Sequence, residues 1–111
     1  MRFEEKKDHY LDNKTGLKWS KENFGPIYWE AAMESLPEGW RLPTIEELIT
    51  LVDRTKLGPA TDLPKMLSSY YWSSATYALH SGYAWGAGFY YGDVYGGYKS
   101  NAYYIRAVRY L

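Results

Sequence analysis

The chain contains no cysteine, which removes disulfides, thiolate metal sites and cysteine nucleophiles together. Stability must therefore come from packing. Net charge is missing as well: 13 lysines and arginines balance 13 aspartates and glutamates, and the sequence pI is near 6.7. Nucleic acid or an anionic membrane surface calls for a basic footprint that this composition does not supply. No apolar stretch approaches the length needed to span a bilayer, and the opening "MRFEEKKDHY" lacks the apolar core of a signal peptide. The expectation is no membrane insertion and a chain that is cytoplasmic as synthesised, unless a virion or an unknown route of surface display carries it outward. With only two histidines, far apart, and no glycine loop ahead of a helix, catalysis finds no constellation.

What remains is 111 residues, enough for one domain, 1–111, that buries roughly two thirds of its unfolded surface. "HYLDNKTGLKWS" predicts a hairpin, with Asp12 to Gly16 as the turn between Tyr10, Leu11 and Leu17, Trp19. Pro26 is placed to open a first helix over "PIYWEAAMESL", with Trp29, Ala32, Met33 and Leu36 as its apolar stripe. Thr44 and Glu47 have the spacing of a capping box, so a second helix starts after Pro43 and buries Ile45, Leu48, Leu51 and Val52. Residues 58–64 read as loop. After residue 70 the pattern turns to β: Trp85, Ala87 and Phe89 alternate with Gly86, Gly88 and Tyr90. The close alternates Tyr104, Arg106, Val108, Tyr110 against Ile105, Ala107, Arg109.

Tyrosine is abundant, 13 in all, and it crowds the last third together with glycine. A half-buried sheet favours aromatics, and Tyr71 and Tyr104 are expected simply to pack. Tyr90, Tyr91, Tyr95, Tyr98 and Tyr103 are adjacent to one another or to glycines and cannot all point to one core. Tyrosine with Gly, Ser and Asn is also the composition of paratopes, because its ring gives a large contact area while ordering only two torsions.

Taken in order, "DNKTGLKW", "WRLPTIEEL", "YYWSS", "YAW" and "IRAVR" resemble the C-terminal domain family of bacterial collagen-like adhesins, found in bacterial, archaeal and phage proteins. The resemblance runs from about Tyr10 to Arg109, and "GWRLPTIEELITLVD" and "YWSS" are its most specific pieces. It implies an α+β, compact C-type lectin-like fold: two helices flanking an antiparallel sheet, with N- and C-terminal strands adjacent and a long irregular region before the end. By the same resemblance Trp40, Arg41, Leu42 and Pro43 lead into the second helix. Trp72, Trp85 and Phe89 are core, and Arg106 and Arg109 belong to the last strand.

The family includes variable proteins of diversity-generating retroelements, in which adenine-specific mutagenesis rewrites C-terminal codons. Asparagine codons can then become many residues but never Lys, Glu, Gln, Met or Trp. Residues 1–74 hold 22 of these types (7 Lys, 8 Glu, 3 Met, 4 Trp), so 30 residues of like composition should hold about nine. Residues 75–104 hold two, Trp85 and Lys99. The resemblance thus implies a scaffold of 1–74 and 104–111 and a variable ligand-binding region of 75–103. Trp85, Ala87, Phe89, Gly92, Val94 and Lys99 are implied as fixed. The implied ligand-binding positions are Tyr77, Ala78, His80, Gly86, Gly88, Tyr90, Tyr91, Asp93, Tyr95, Gly96, Tyr98, Asn101 and Tyr103, and from Gly86 onward they are expected to face solvent.

The partner so implied is a protein or cell-surface ligand; the alternative is an undiversified adhesin-type module that binds polysaccharide or glycosaminoglycan through Trp and Tyr stacking. Calcium-dependent sugar binding is not expected. Calcium takes six to eight oxygens, whereas Asp93 is the only acid between residues 63 and 111, and the Glu-Pro-Asn and Trp-Asn-Asp signatures of sugar-binding C-type lectins are missing. Trp72 reads as core before sugar platform, and His80 as a solvated loop residue before ligand or base. Glu46 and Glu47, neighbours on a helix, point about 100° apart and cannot flank one bond. No cofactor, no metal and no enzymatic activity are expected.

Overall fold

The turn "DNKTG" closes around one buried carboxylate. Asp12 accepts from Lys14 N (3.0 Å) and Thr15 Oγ1 (2.8 Å) and takes the Arg2 guanidinium in a two-pronged fork, Nε and Nη2 each at 2.9 Å. Gly16, at φ +79°, completes the turn by donating to Asp12 O at 2.8 Å. Burial alone would raise the Asp12 carboxyl, but the bonds from Arg2, Thr15 and Lys14 outweigh it and hold the group below its ordinary range.

The computed structural model describes residues 1–109, so Tyr110, expected on the last strand, lies outside the described residues. Elements follow in the order β1 (Phe3–Glu5), β2 (Tyr10–Asp12), β3 (Lys18–Tyr28), α1 (Trp29–Ser35), α2 (Ile45–Ile49), β4 (Tyr70–Thr76), β5 (Tyr83–Gly88), β6 (Asp93–Tyr98) and β7 (Ala102–Arg109). The strands form one sheet in the spatial order β1, β2, β3, β7, β4, β5, β6. Its pairings are antiparallel except β4 with β7, which run parallel at Tyr71 and Tyr104. Mostly sheet with two short helices, the chain is α+β. The expected adjacency of the terminal strands holds only in part: the C-terminal strand β7 pairs with β3, while the N-terminal strand β1 lies at the sheet edge with β2 and β3 between it and β7. Among the described residues no helix is long and apolar enough to cross a membrane.

Pro26 does not open the first helix. It lies in β3, where Ile27 pairs with Tyr103 and Tyr28 with Ala102, and a register shift between Phe24 and Ile27 takes up Gly25 and Pro26. A bulge is one of the few places in a sheet that tolerates a residue without an N–H. Gly25 is at φ +102°, and a Cβ there would meet Ile27 N at 2.9 Å and Tyr103 O at 3.0 Å. Helix α1 therefore begins three residues later, at Trp29. Ala32 is buried and Trp29 and Leu36 are half-buried, while Met33 turns out to be 48% exposed, off the predicted stripe.

The second helix starts as predicted. Thr44 Oγ1 accepts from Glu47 N at 3.1 Å and Glu47 Oε1 from Thr44 N at 2.8 Å, a reciprocal capping box. Arg41 forks onto the same Glu47 carboxylate at 2.7 and 2.9 Å, and its backbone exchanges hydrogen bonds with Val108 of β7. The lead-in is thus stitched to the last strand. α2 stops at Ile49, earlier than the apolar spacing suggests, and Leu51 is buried by a tight turn beyond it.

Successive residues of a strand point to opposite faces, and the two apolar clusters divide accordingly. Tyr71, Ala87 and Val108 join Trp19, Leu48, Leu51 and Phe89 in one; Trp72, Ala84 and Ile105 join Ala32 and Leu42 in the other. Trp72 and Phe89 are fully buried, as expected of core. On the first face β3 and β7 lose register: between the pairs Trp19–Val108 and Asn23–Arg106, three residues of β3 oppose one of β7. Side chains repair the ladder there. Ser20 Oγ accepts from Ala107 N at 3.0 Å, and Arg106 Nε donates to Ser20 O. Arg106 Nη2 reaches Pro64 O at 2.8 Å and so fastens the irregular segment 50–69 to the sheet.

Arg106→Leu should cost about 2–5 kcal/mol by urea denaturation, since each buried carbonyl left without a donor costs about 1–3 kcal/mol. A loss below about 1 kcal/mol would show that solvent reaches those carbonyls. Asp12 gives a pH test. Its folded pKa lies below the unfolded value, so its stabilisation is present above the unfolded value and is lost as pH falls through the folded one. Melting temperature should fall below about pH 4, and Asp12→Asn should lower it at neutral pH and flatten that acid slope.

Candidate ligand-binding face

β5 and β6 pair in strict register: Tyr83–Tyr98, Ala84–Gly97, Trp85–Gly96, Gly86–Tyr95, Ala87–Val94 and Gly88–Asp93. Ala84, Gly86 and Gly88 share a face with Gly97 and Tyr95. That face was expected to be open, and it is not. Gly86 is buried, and a Cβ there would lie 2.6 Å from Tyr71 O; on Gly97 it would lie 2.7 Å from the Tyr103 ring. The space belongs to rings from neighbouring strands. Tyr70 meets Tyr95 edge-on at 4.7 Å, Tyr103 lies 5.8 Å from Tyr95, and Trp72 lies 4.6 Å from Tyr103. Solvent-facing placement therefore fails for Gly86 and Gly88, which are buried, and for Tyr95, Gly96 and Tyr103, which are half-buried. Burial, with Tyr103 and Tyr70 alongside, pushes the Tyr95 phenol far above its ordinary value.

The opposite face of the hairpin carries a second aromatic group. Trp85 is half-buried rather than core, with its ring tilted 4.8 Å from that of Tyr77; Tyr83 lies 4.3 Å from Tyr98 and 4.5 Å from His80. Gly96, half-buried, faces the Tyr77 ring, 3.3 Å from where its Cβ would be. His80 is exposed and accepts through Nδ1 from Gly82 N at 3.1 Å, and Ala78 beside it is exposed too. Tyr98 is 55% exposed and Asn101 is exposed, donating to Tyr103 Oη at 3.1 Å. Lys99 is held rather than loose: its ammonium sits 4.1 Å over the Trp29 ring and donates to Thr76 Oγ1 at 3.0 Å. An open cleft of about 690 Å³ runs here between Tyr28, Glu30, Ser81, Tyr98 and Ser100.

At the other end of the hairpin, Tyr90 and Tyr91 form a tip, 47% and 69% exposed, with rings edge-on at 4.7 Å. Their backbone is fastened on both sides. Phe89 N donates to Ser69 O at 2.9 Å, Gly92 N to Gly88 O at 2.9 Å, Ala60 N to Phe89 O at 2.6 Å and Gly58 N to Tyr90 O at 3.2 Å. Gly92, at φ +87°, is buried so closely that a Cβ would lie 2.8 Å from Val52 Cγ1. Phe89 plugs the core beneath. Asp93 is exposed just past the tip.

The predicted positions thus fall into three groups: Tyr90, Tyr91 and Asp93 at the tip; Ala78, His80, Tyr98 and Asn101 at the far end, with Tyr77 and Gly96 half-covered near them; and a packed middle of Gly86, Gly88, Tyr95 and Tyr103. Sequence reasoning missed Tyr70, 45% exposed beside the tip, and Tyr28, 59% exposed in the cleft, because both precede the residues of unusual composition. The exposed groups offer aromatic faces, hydroxyls and one carboxylate. Among the described residues no cluster of three or more His, Asp or Glu could hold a metal.

A family model described as the Lcl C-terminal domain matches residues 8–109. That is nearly the whole chain, which belongs to this family, the one its motifs resemble. A search of curated proteins returns no match.

The two kinds of tyrosine should separate in stability measurements. Tyr90→Ala, Tyr91→Ala and Tyr98→Ala should each change stability by no more than about 0.5 kcal/mol, whereas Tyr103→Ala should cost about 3 kcal/mol or more. Tyr95 Oη is buried with no hydrogen-bond partner among the described residues, so Tyr95→Phe should be neutral or stabilising. Large losses at the tip would make those rings core.

Proposed function

We propose that this member of the Lcl C-terminal domain family is a non-enzymatic ligand-binding module of C-type lectin-like fold that presents a retroelement-diversified, tyrosine-rich surface to a protein or cell-surface receptor. The observation that carries the reading is the tip. Tyr90 and Tyr91 are exposed on backbone that four hydrogen bonds hold in place. Large rings on a fixed backbone lose little freedom on binding, which is how tyrosine serves paratopes and interface anchors. The fold reading is supported by the β3–β7 pairing and by the helices, since Ala32 of α1 and Leu48 of α2 enter different clusters, as helices flanking a sheet would.

Diversification needs positions that accept any side chain, set among positions that accept one. Gly92 belongs to the second kind, as does Ala87, fully buried in the core. Gly86 joins them, because a Cβ there would run into the backbone oxygen of Tyr71. The exposed set of Ala78, His80, Tyr90, Tyr91, Asp93, Tyr98 and Asn101 suits the first kind. The alternative, an undiversified adhesin-type module binding polysaccharide, is favoured by the cleft between Tyr28 and Tyr98, whose exposed rings and polar rim suit a sugar.

Sequencing the gene and its flanking DNA decides between them. A near-identical repeat next to a reverse-transcriptase gene, with adenines at the codons of the exposed set and none at Gly86 or Gly92, is the expected result. If there is no such repeat, and a glycan array shows saturable binding that Tyr28→Ala and Tyr98→Ala abolish, the polysaccharide-binding module is the function.

A further inference from the structure

Asp93 stands beside the tip with its charge unanswered. Several acids of this chain have a cation, as Asp8 has Arg109, Asp12 has Arg2 and Asp62 has Lys56. Among the described residues Asp93 has neither an ion pair nor a side-chain hydrogen bond. Arg54 passes close by, its stem near Gly92, yet makes no ion pair with it. The carboxylate borders a recess of about 300 Å³ walled by Tyr70, Tyr90 and Tyr91, with Ser68 and Ser69 on its rim and Gly88 in its lining. A Cβ on Gly88 would lie 2.8 Å from both Asp93 Oδ1 and the Tyr70 ring, so glycine is what lets the carboxylate and that ring stand so close.

We infer that this recess takes an arginine side chain of the protein partner. The deduction rests on the reading of the tip as the binding surface and adds the chemistry of what it binds. A guanidinium matches a carboxylate in a two-pronged fork and stacks on aromatic faces, whose negative quadrupole attracts a cation. Asp93 and the three rings supply those contacts within one recess. A neutral sugar would use the rings but leave the carboxylate without a counter-charge. The walls stand ready before the ligand arrives, because the backbone bonds that hold Tyr90 also orient the turn into Asp93.

The test is a titration of the isotope-labelled full chain followed by amide chemical shifts, with N-acetyl-arginine amide as the probe. Its neutral isostere N-acetyl-citrulline amide and methyl glucoside serve as comparisons. The arginine probe should shift the amides of Ser69, Gly88 and residues 90–93 saturably, and both neutral probes should bind at least about tenfold more weakly. Asp93→Asn should weaken the arginine probe about tenfold with melting temperature unchanged, and Gly88→Ala should weaken it by crowding Asp93 and Tyr70. Equal binding of citrulline, tighter binding of the glucoside, shifts elsewhere on the chain, or an unchanged affinity in Asp93→Asn would overturn the inference. Failure of the probe leaves the diversified-surface reading standing, and absence of the template repeat leaves the recess standing, so the two fail separately.

Discussion

A guanidinium sealed inside the sheet, with no carboxylate beside it among the described residues, sets the terms for the structure around it. Arg106 is 0% exposed, and burial lowers its pKa to about 10, still a cation at neutral pH. An unpaired buried charge is tolerated only when its donors are satisfied. Here the acceptors are backbone carbonyls of two other segments, Ser20 O in β3 and Pro64 O in the long irregular stretch, with Met66 Sδ at 3.6 Å and the Tyr10 ring 5.9 Å from the cation. One side chain therefore joins β7 to β3 across a break in register and fixes a segment that has no strand or helix of its own.

What that segment does explains why it must be fixed. Its earlier part reaches the tip through Gly58 and Ala60, and its later part is held by Arg106 and by Asn23 Nδ2, which donates to Lys65 O at 2.7 Å. Tyr71 Oη ties the same region again, accepting from Leu67 N at 3.0 Å and donating to Asn23 Oδ1 at 2.6 Å. Loops that carry binding residues are usually mobile. This one is braced from both ends, and it braces in turn the turn that exposes Tyr90 and Tyr91. Rigid placement of rings is worth affinity only if it precedes the ligand.

Features of the chain that depend on neighbours in sequence are legible in the sequence itself. The capping box at Thr44 and Glu47 and the turn at Asp12 to Gly16 rest on contacts a few residues apart, so their spacing is enough. Register is not local, and the misreadings follow from it. Pro26 looked like a helix start because the pairing of its strand with β7, which flanks it at Phe24 and Ile27, lies across the chain. The glycines at 86 and 88 looked like an empty face because the rings that fill it come from Tyr70, Tyr95 and Tyr103 on three other strands. The tip was half legible: adjacent tyrosines before a glycine announced exposure, but nothing near them announced the bonds from Gly58 and Ala60. The buried state of Arg106 left no sign in an alternating strand, where an arginine ordinarily marks the wet side.

Native-state hydrogen exchange measures the claim on which the rest stands, that the aromatic tip is held in place before any ligand is present. The amides of Gly58, Ala60, Phe89 and Gly92 should exchange slowly, protected to nearly the same degree as the amides of β4 in the core. Exchange of those four at the rate of an unprotected turn, while β4 stays protected, would mean a mobile tip and would contradict the account.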